Sequence, residues 1–188
     1  MKALVRSLLL LLLLLALLAA SPVAARSLGF PAAWKIDGLI EQTCRLTPFY
    51  DLCLSSLKSD PTSSAADIRG LARIMAGSVL ASASHTLDQI QELLGQAPDP
   101  ETEKPLAYCA ELYIPVVKYT LPQALDALNK GQLGFAVYGL SDAGTEAEEC
   151  EKNFSGQGGG SPVTQGNKLV RNLVDVALAI VKILQKGF

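Results

Sequence analysis

Four cysteines, Cys44, Cys53, Cys109 and Cys150, carry most of the chemistry this sequence could do. An even set of this kind suits either disulfides or a zinc site. Zinc draws on C-x-x-C pairs or several histidines. The chain has no C-x-x-C and one histidine, so the cysteines read as disulfide partners, with three pairings open to them. That histidine, His85, lies among Ser82, Ser84 and Thr86, the residue types of a Ser–His nucleophile pair. A lone mid-helix histidine is read instead as a solvated or half-buried helix residue. Glu146, Glu148, Glu149 and Glu151 offer carboxylates for glycosidic cleavage. Such catalysis needs two carboxylates facing each other across a cleft, and four on consecutive helical turns read as a solvated face. There is no G-x-S-x-G elbow, no H-E-x-x-H and no phosphate-binding loop. Gly158-Gly159-Gly160 has no lysine beside it and reads as linker. The expectation is a protein that is not an enzyme, needs no cofactor or metal, and works through its surface. Asn153-Phe154-Ser155 adds one modification signal, an N-glycosylation sequon with Asn153 as acceptor.

The elements that must hold these residues begin after a leader. Lys2 and Arg6 form a short basic region, Leu8 to Leu18 is almost wholly apolar, and Val23-Ala24-Ala25 supplies small residues for cleavage. Residues 1–25 are therefore read as a signal peptide, and a secreted chain of residues 26–188 follows as one domain with a real core. Without Lys2 and Arg6, 14 basic and 18 acidic residues remain, a net charge of −4. Mild acidity argues against a nucleic-acid partner, and no later stretch is long and apolar enough to span a membrane.

Apolar residues then recur at intervals of three and four, the period of one buried helical face. Ile68, Leu71, Ala72, Met75, Val79, Ala83, Leu87, Ile90 and Leu94 define a helix over about 64–94, with Thr62-Ser63-Ser64 as cap candidates. Ala107, Ala110, Ile114, Val117, Leu121, Ala124 and Leu128 define one over 103–130, which Pro115 and Pro122 should bend. Phe135, Leu140, Ala143, Ala147, Cys150 and Phe154 share a face over 135–154, and Leu169, Leu173, Val176, Ala177, Ile180 and Leu184 share one over 163–185. Four long helices with short connections make an all-α, up-down-up-down four-helix bundle over 63–186, preceded by an α-helical hairpin over 27–60.

Spacing constrains the cysteines without settling their partners. Nine residues of straight helix would hold Cys44 and Cys53 about 13 Å apart, whereas a disulfide tolerates about 7 Å between Cα atoms. If they pair, the chain reverses between them, at Thr47-Pro48, with Thr47 as a helix N-cap. Cys109 and Cys150 lie equally far from Asn129-Lys130-Gly131, the clearest helix-stop signal in the chain, so a bridge between them could pin the open end of that hairpin.

The run Thr43-Cys44-x-x-Thr47-Pro48-x-Tyr50-x-x-Cys53, followed by Ser59-Asp60-Pro61, Ala65-Ala66-Asp67-Ile68-x-Gly70-Leu71-Ala72, Cys109, Glu149-Cys150-Glu151 and the Ala177–Leu184 helix, resembles the plant invertase and pectin methylesterase inhibitor family. The resemblance implies a disulfide-braced bundle with bridges Cys44–Cys53 and Cys109–Cys150. It also implies reversible one-to-one inhibition of a plant acid invertase or, alternatively, of a pectin methylesterase, in the apoplast and cell wall or the vacuole. Leu121-Pro122-x-Ala124-Leu125 through Lys130-Gly131 is similar to the invertase-inhibitor branch, in which a Pro-Lys-Phe motif after the turn meets the enzyme's catalytic acids. Here those positions are Leu133, Gly134 and Phe135: the aromatic carries over, the proline and lysine do not. Lys130, Leu133, Gly134 and Phe135 are thus the target-binding candidates. Pectin methylesterase inhibition would use a bundle face instead, with Asp67-Ile68 to Leu71-Ala72 at home on it. The missing lysine also motivates a third expectation, a non-inhibitory interaction protein of the same fold.

Overall fold

A computed structural model of the chain describes residues 32–96, 98–155 and 160–187, with side chains from residue 38 onward. The expected leader, residues 1–25, lies outside the described residues, as do Gly158 and Gly159 of the linker. Residues 33–188 form one compact unit. Helices α1 (Ala32–Cys44) and α2 (Tyr50–Ser59) precede a 3₁₀ turn, Pro61–Ala65. Then come α3 (Ile68–Gly95), α4 (Pro100–Pro115), a π-helical turn (Val116–Thr120), α5 (Leu121–Asn129), α6 (Leu133–Lys152) and α7 (Thr164–Gln185). The α4–π–α5 run counts as one bent rod. With it, α3, α6 and α7 form a four-helix bundle in which α3 packs on α4 and α7, and α6 packs on α5 and α7.

The hairpin before the bundle closes through its own disulfide. Cys44 and Cys53 are bonded with Cα atoms 5.5 Å apart, both fully buried. Thr47 does not cap α2. Its hydroxyl donates to Cys44 O at 2.8 Å and closes the end of α1, and α2 starts three residues later with no side-chain cap. The bundle's first helix also starts later than its hydroxyl residues suggest. Thr62, Ser63 and Ser64 sit in the 3₁₀ turn, which Asp60 caps through Thr62 N–H at 2.8 Å, and Asp67 caps α3 through Gly70 N–H at 2.7 Å. Two aspartates thus outcompete three weaker caps, as their charged acceptors allow.

The apolar stripe of the second rod departs from its expected register. The buried positions are Leu106, Cys109, Tyr113 and Val116, then Leu121, Ala124 and Leu128. Ala107 is exposed, and Ala110, Ile114 and Val117 are only half-buried. The step from Val116 to Leu121 is five residues. Leu121 N–H donates to Val116 O, five residues back, which inserts one extra residue into the turn. Pro115 and Pro122 lack the N–H that would hold a regular ladder on either side, so the helix widens between them. A constant period carried back from Leu121 therefore points one residue off upstream of the bulge.

The far end of the α4–α6 pair is tied covalently and by a buried polar chain. Cys109 and Cys150 are bonded with Cα atoms 4.8 Å apart. Beside them Tyr113 Oη donates to Asn167 Oδ1 at 2.8 Å. Asn167 Nδ2 in turn donates to Glu151 Oε2 at 2.8 Å and lies 3.3 Å from Cys150 Sγ. Glu151 Oε1 accepts from Thr164 Oγ1 at 2.6 Å. Burial pushes the Tyr113 phenol well above its ordinary range, so it stays a neutral donor. Glu151 therefore does not belong to a merely solvated face. It joins α6 to α7, while Glu148 pairs with Arg171 across the same seam (3.4 Å) and with Lys152 of its own helix (3.0 Å). Glu146 has no such cationic partner among the described residues. Burial, Asp142 and Glu149 all raise its carboxyl above the usual range.

These contacts can be tested by unfolding. Tyr113→Phe leaves Asn167 Oδ1 without its buried donor, and urea unfolding should show a loss of about 1–3 kcal/mol; no loss would mean the chain of bonds contributes nothing. Glu146 has a folded-state pKa above its unfolded value. Its protonation therefore favours the fold, and its contribution weakens as pH rises through that pKa. Glu146→Gln removes the like-charge contact with Asp142. It should raise stability at pH 7 by roughly 0.5 kcal/mol, with little change at pH 4.

Candidate functional site

The turn between α5 and α6 is built by glycine chemistry. Gly131 has φ +71°, the left-handed conformation that ends a helix. Its N–H donates to Leu128 O at 3.2 Å and Gln132 N–H donates to Ala127 O at 2.8 Å, the paired bonds of a Schellman motif. A side chain at Gly131 would also meet Arg69 of α3, whose Nη1 lies 3.1 Å from the Cβ position. The exposed guanidinium therefore lies beside the turn, which leaves little room there for a side chain.

All four target-binding candidates sit at this corner. Lys130 is exposed and pairs with Asp126 of its own helix at 2.6 Å. Leu133 is half-buried against the core. Gly134 is exposed, and nothing among the described residues lies within 4 Å of where a Cβ would sit. Phe135 does not join the buried stripe of α6. It is 72 % exposed, and the stripe runs through Ala136, Gly139, Leu140, Ala143, Ala147 and Cys150 instead. Helix α6 begins earlier than expected, at Leu133, and Phe135 N–H and Ala136 N–H both reach Gln132 O. That phase turns position 135 outward.

Sequence reasoning missed Tyr138, which is 74 % exposed and one turn beyond Phe135. The signal was the spacing of three residues, which puts both rings on one helical face. They border a groove between α5 and α6 whose other walls include Gln123, Asp126, Gln132 and Leu133. The groove is shallow because the helices meet at its floor. A Cβ at Gly139 would lie 2.9 Å from Ala124 Cβ and 3.2 Å from Thr120 O, so only glycine permits this approach. Thr120 Oγ1, in the π-helical turn, also donates to Asp142 Oδ2 at 3.3 Å, a second stitch from the bent rod to α6.

This arrangement is suited to docking rather than bond-making. Two rigid aromatic rings stand out beside a groove with an amide and carboxylate rim, the anatomy of a protein contact. The other candidate chemistry is engaged elsewhere. His85 is exposed, while Ser84 and Thr86 donate to Leu80 O and Ser82 O of their own helix, both at 2.9 Å. Around Asp67 to Ala72, Leu71 and Ala72 are fully buried, as their place in the apolar stripe requires, and Asp67 caps the helix, while Arg69 and Arg73 are exposed. Asn153 is exposed just after α6.

Residues 38–180 match the family model described as plant invertase/pectin methylesterase inhibitor. The chain is 37 % identical over 142 residues to cell wall / vacuolar inhibitor of fructosidase 1 of Arabidopsis thaliana, covering 76 % of this chain and 67 % of that one. It is 31 % identical over 168 residues to the pectinesterase inhibitor of Actinidia deliciosa, covering 89 % and 88 %. Its fold is similar to a crystal structure of a mutant form of a pectin methylesterase inhibitor from Arabidopsis. The TM-score is 0.67 at 23 % identity, covering 77 % of this chain and 95 % of that one.

The helix contact at the groove floor makes a matched pair of substitutions informative. Gly139→Ala overpacks the α5–α6 contact and should cost about 1–3 kcal/mol in chemical unfolding. Gly134→Ala, in open space near the helix start, should be neutral or stabilise by up to about 1 kcal/mol. Equal effects would mean that the close approach does not hold the corner.

Proposed function

Because the chain belongs to the plant invertase/pectin methylesterase inhibitor family, an enzyme-inhibitor family rather than an enzyme one, we propose that it inhibits a plant acid invertase. In this reading it is secreted to the cell wall or vacuole, forms a reversible one-to-one complex, and docks by the α5–α6 corner. The observation that carries the proposal is the exposed Phe135–Tyr138 pair beside a turn held by the backbone bonds at Gly131 and Gln132. A preformed corner loses little conformational freedom on binding, so its rings retain most of their contact energy. A complex of ordinary inhibitory strength would bury about 1,600 Å² in total, far more than the corner alone, so flanking parts of α5 and α6 must contribute. The relative named as an inhibitor of fructosidase, and the leader-like start of the sequence, support target and location.

One observation favours a second reading. Gly134 supplies no cation where the invertase-inhibitor resemblance places a lysine. A pectin methylesterase would then be the target, in keeping with the relative named as a pectinesterase inhibitor. The space around Gly134 makes the two readings separable, since a Cβ there meets no described neighbour within 4 Å.

The deciding experiment titrates the secreted protein against acid invertase and, separately, against pectin methylesterase. Invertase should be inhibited. Phe135→Ala should raise the inhibition constant roughly 30-fold, the loss of an aromatic anchor worth about 2 kcal/mol. Gly134→Lys should strengthen inhibition by giving the enzyme's carboxylates a cationic partner. Inhibition of pectin methylesterase alone would establish the second reading, and inhibition of neither would leave a non-inhibitory interaction protein.

A further inference from the structure

We propose that Asn153 carries an N-linked glycan, and that this sugar reserves the disulfide end of the bundle so that the protein docks only by its α5–α6 corner. The docking half rests on the function proposed above; the modification half does not.

The sequon Asn153-Phe154-Ser155 forms a fixed turn rather than a loose loop. Asn153 N–H donates to Glu149 O at 3.1 Å and Ser155 N–H to Lys152 O at 2.8 Å. Between them Phe154 is buried in the core, only 3 % exposed, which pegs the tripeptide in place. Asn153 and Ser155 are both exposed, so the acceptor amide and the hydroxyl that defines the sequon face outward while the middle residue faces in. Beside them lies a shallow hollow lined in part by Ser155 and Ser161, whose hydroxyls can hydrogen-bond a first sugar ring, and by Lys152 and Arg171, which pair with Glu148. The chemistry asks only for a lipid-pyrophosphate-linked oligosaccharide. A bond forms between Asn153 Nδ2 and the sugar's anomeric carbon, and the sugar–phosphate bond breaks. Its electrons leave with the lipid pyrophosphate, and the amide loses one proton.

The position matters because α6 runs straight from one end of the bundle to the other. Phe135 lies in its first turn and Asn153 just past its last residue, about 27 Å apart along the axis. A bulky, strongly hydrated group at Asn153 leaves the aromatic corner clear. The same group covers the surface over Cys109–Cys150, Glu148 and Arg171.

The test expresses the full chain in plant secretory cells and measures the intact mass of the product. The expected mass exceeds that of the polypeptide and falls on N-glycanase treatment, which leaves position 153 deamidated. Asn153→Gln and Ser155→Ala should each abolish the increment, and Ser155→Thr should keep it. A secreted product with the mass of the bare chain overturns the modification. For docking, enzymatic removal of the glycan should leave inhibition of the target unchanged. A sequon moved to the corner by Gln132→Asn with Gly134→Ser should abolish inhibition once glycosylated. Stronger inhibition after glycan removal, or full inhibition by the corner-glycosylated variant, overturns the docking half. If no form inhibits either enzyme, the proposed function fails and takes the docking half with it, while the mass still decides the modification.

Discussion

The bond between Cys109 and Cys150 fixes one end of the α4–α6 pair, and the rest of the molecule can be understood from that constraint. Closing a loop of this length removes unfolded-state entropy worth roughly 4 kcal/mol in the chain-entropy model. The buried bonds from Tyr113 through Asn167 to Glu151 then extend the fixed point to α7, so three helices are registered against one another at a single level. A polar chain of this kind stabilises only when its members are paired, and Tyr113, Asn167, Glu151 and Thr164 each find a partner inside the protein. With that end immobile, the opposite end of α6 can carry exposed rings on a short turn without losing its place.

Between the two ends the helices must stay in register despite Pro115 and Pro122 in the middle of one rod. The π-helical turn does this. It absorbs one residue, restores the buried phase at Leu121, and swings α5 so that Ala124 meets Gly139. The groove beside Phe135 and Tyr138 is therefore a product of missing N–H groups upstream in the chain as much as of the turn itself. Local wide turns of this kind often accompany functional surfaces, because they let a helix change its face without ending.

The architecture was legible in the sequence because the apolar period is strong and the stop signals are plain. The bounds of α7 and the Asn129-Lys130-Gly131 stop lie where the pattern places them, within a residue or two, and Leu173, Val176, Ala177 and Ile180 of its stripe are buried, but Leu169 is exposed, with Val170 buried in its place, and Leu184 is half-buried. What the pattern misses are competitions it does not weigh. Asp67 outranks Thr62 to Ser64 as a cap because its acceptor is charged. The stripe of α4 slips by one because a proline pair permits a wider turn. Phe135 is grouped with the core stripe in sequence, yet its five-residue step to Leu140 sets it off the buried phase, which runs through Ala136 and Gly139 instead. Of the candidate site, Lys130, Leu133, Gly134 and Phe135 were visible as neighbours in sequence. Tyr138, Arg69 and Gly139 were not, since their roles depend on which helix faces which. Glu151 is the clearest case of chemistry hidden by composition: among four glutamates, only its contacts with Thr164 and Asn167 set it apart.

In the proposed docking mode, a covalently anchored bundle binds by its α5–α6 end and no other. Hydrogen–deuterium exchange of the purified protein, free and mixed with acid invertase, reads the docking surface without assuming which residues matter. Exchange should slow on binding in the segment from Leu128 to Leu140, with the amides around Cys109 and Cys150 unchanged. Protection confined to α1 and α2, or to the surface around the Cys109–Cys150 bridge, would contradict docking by the corner.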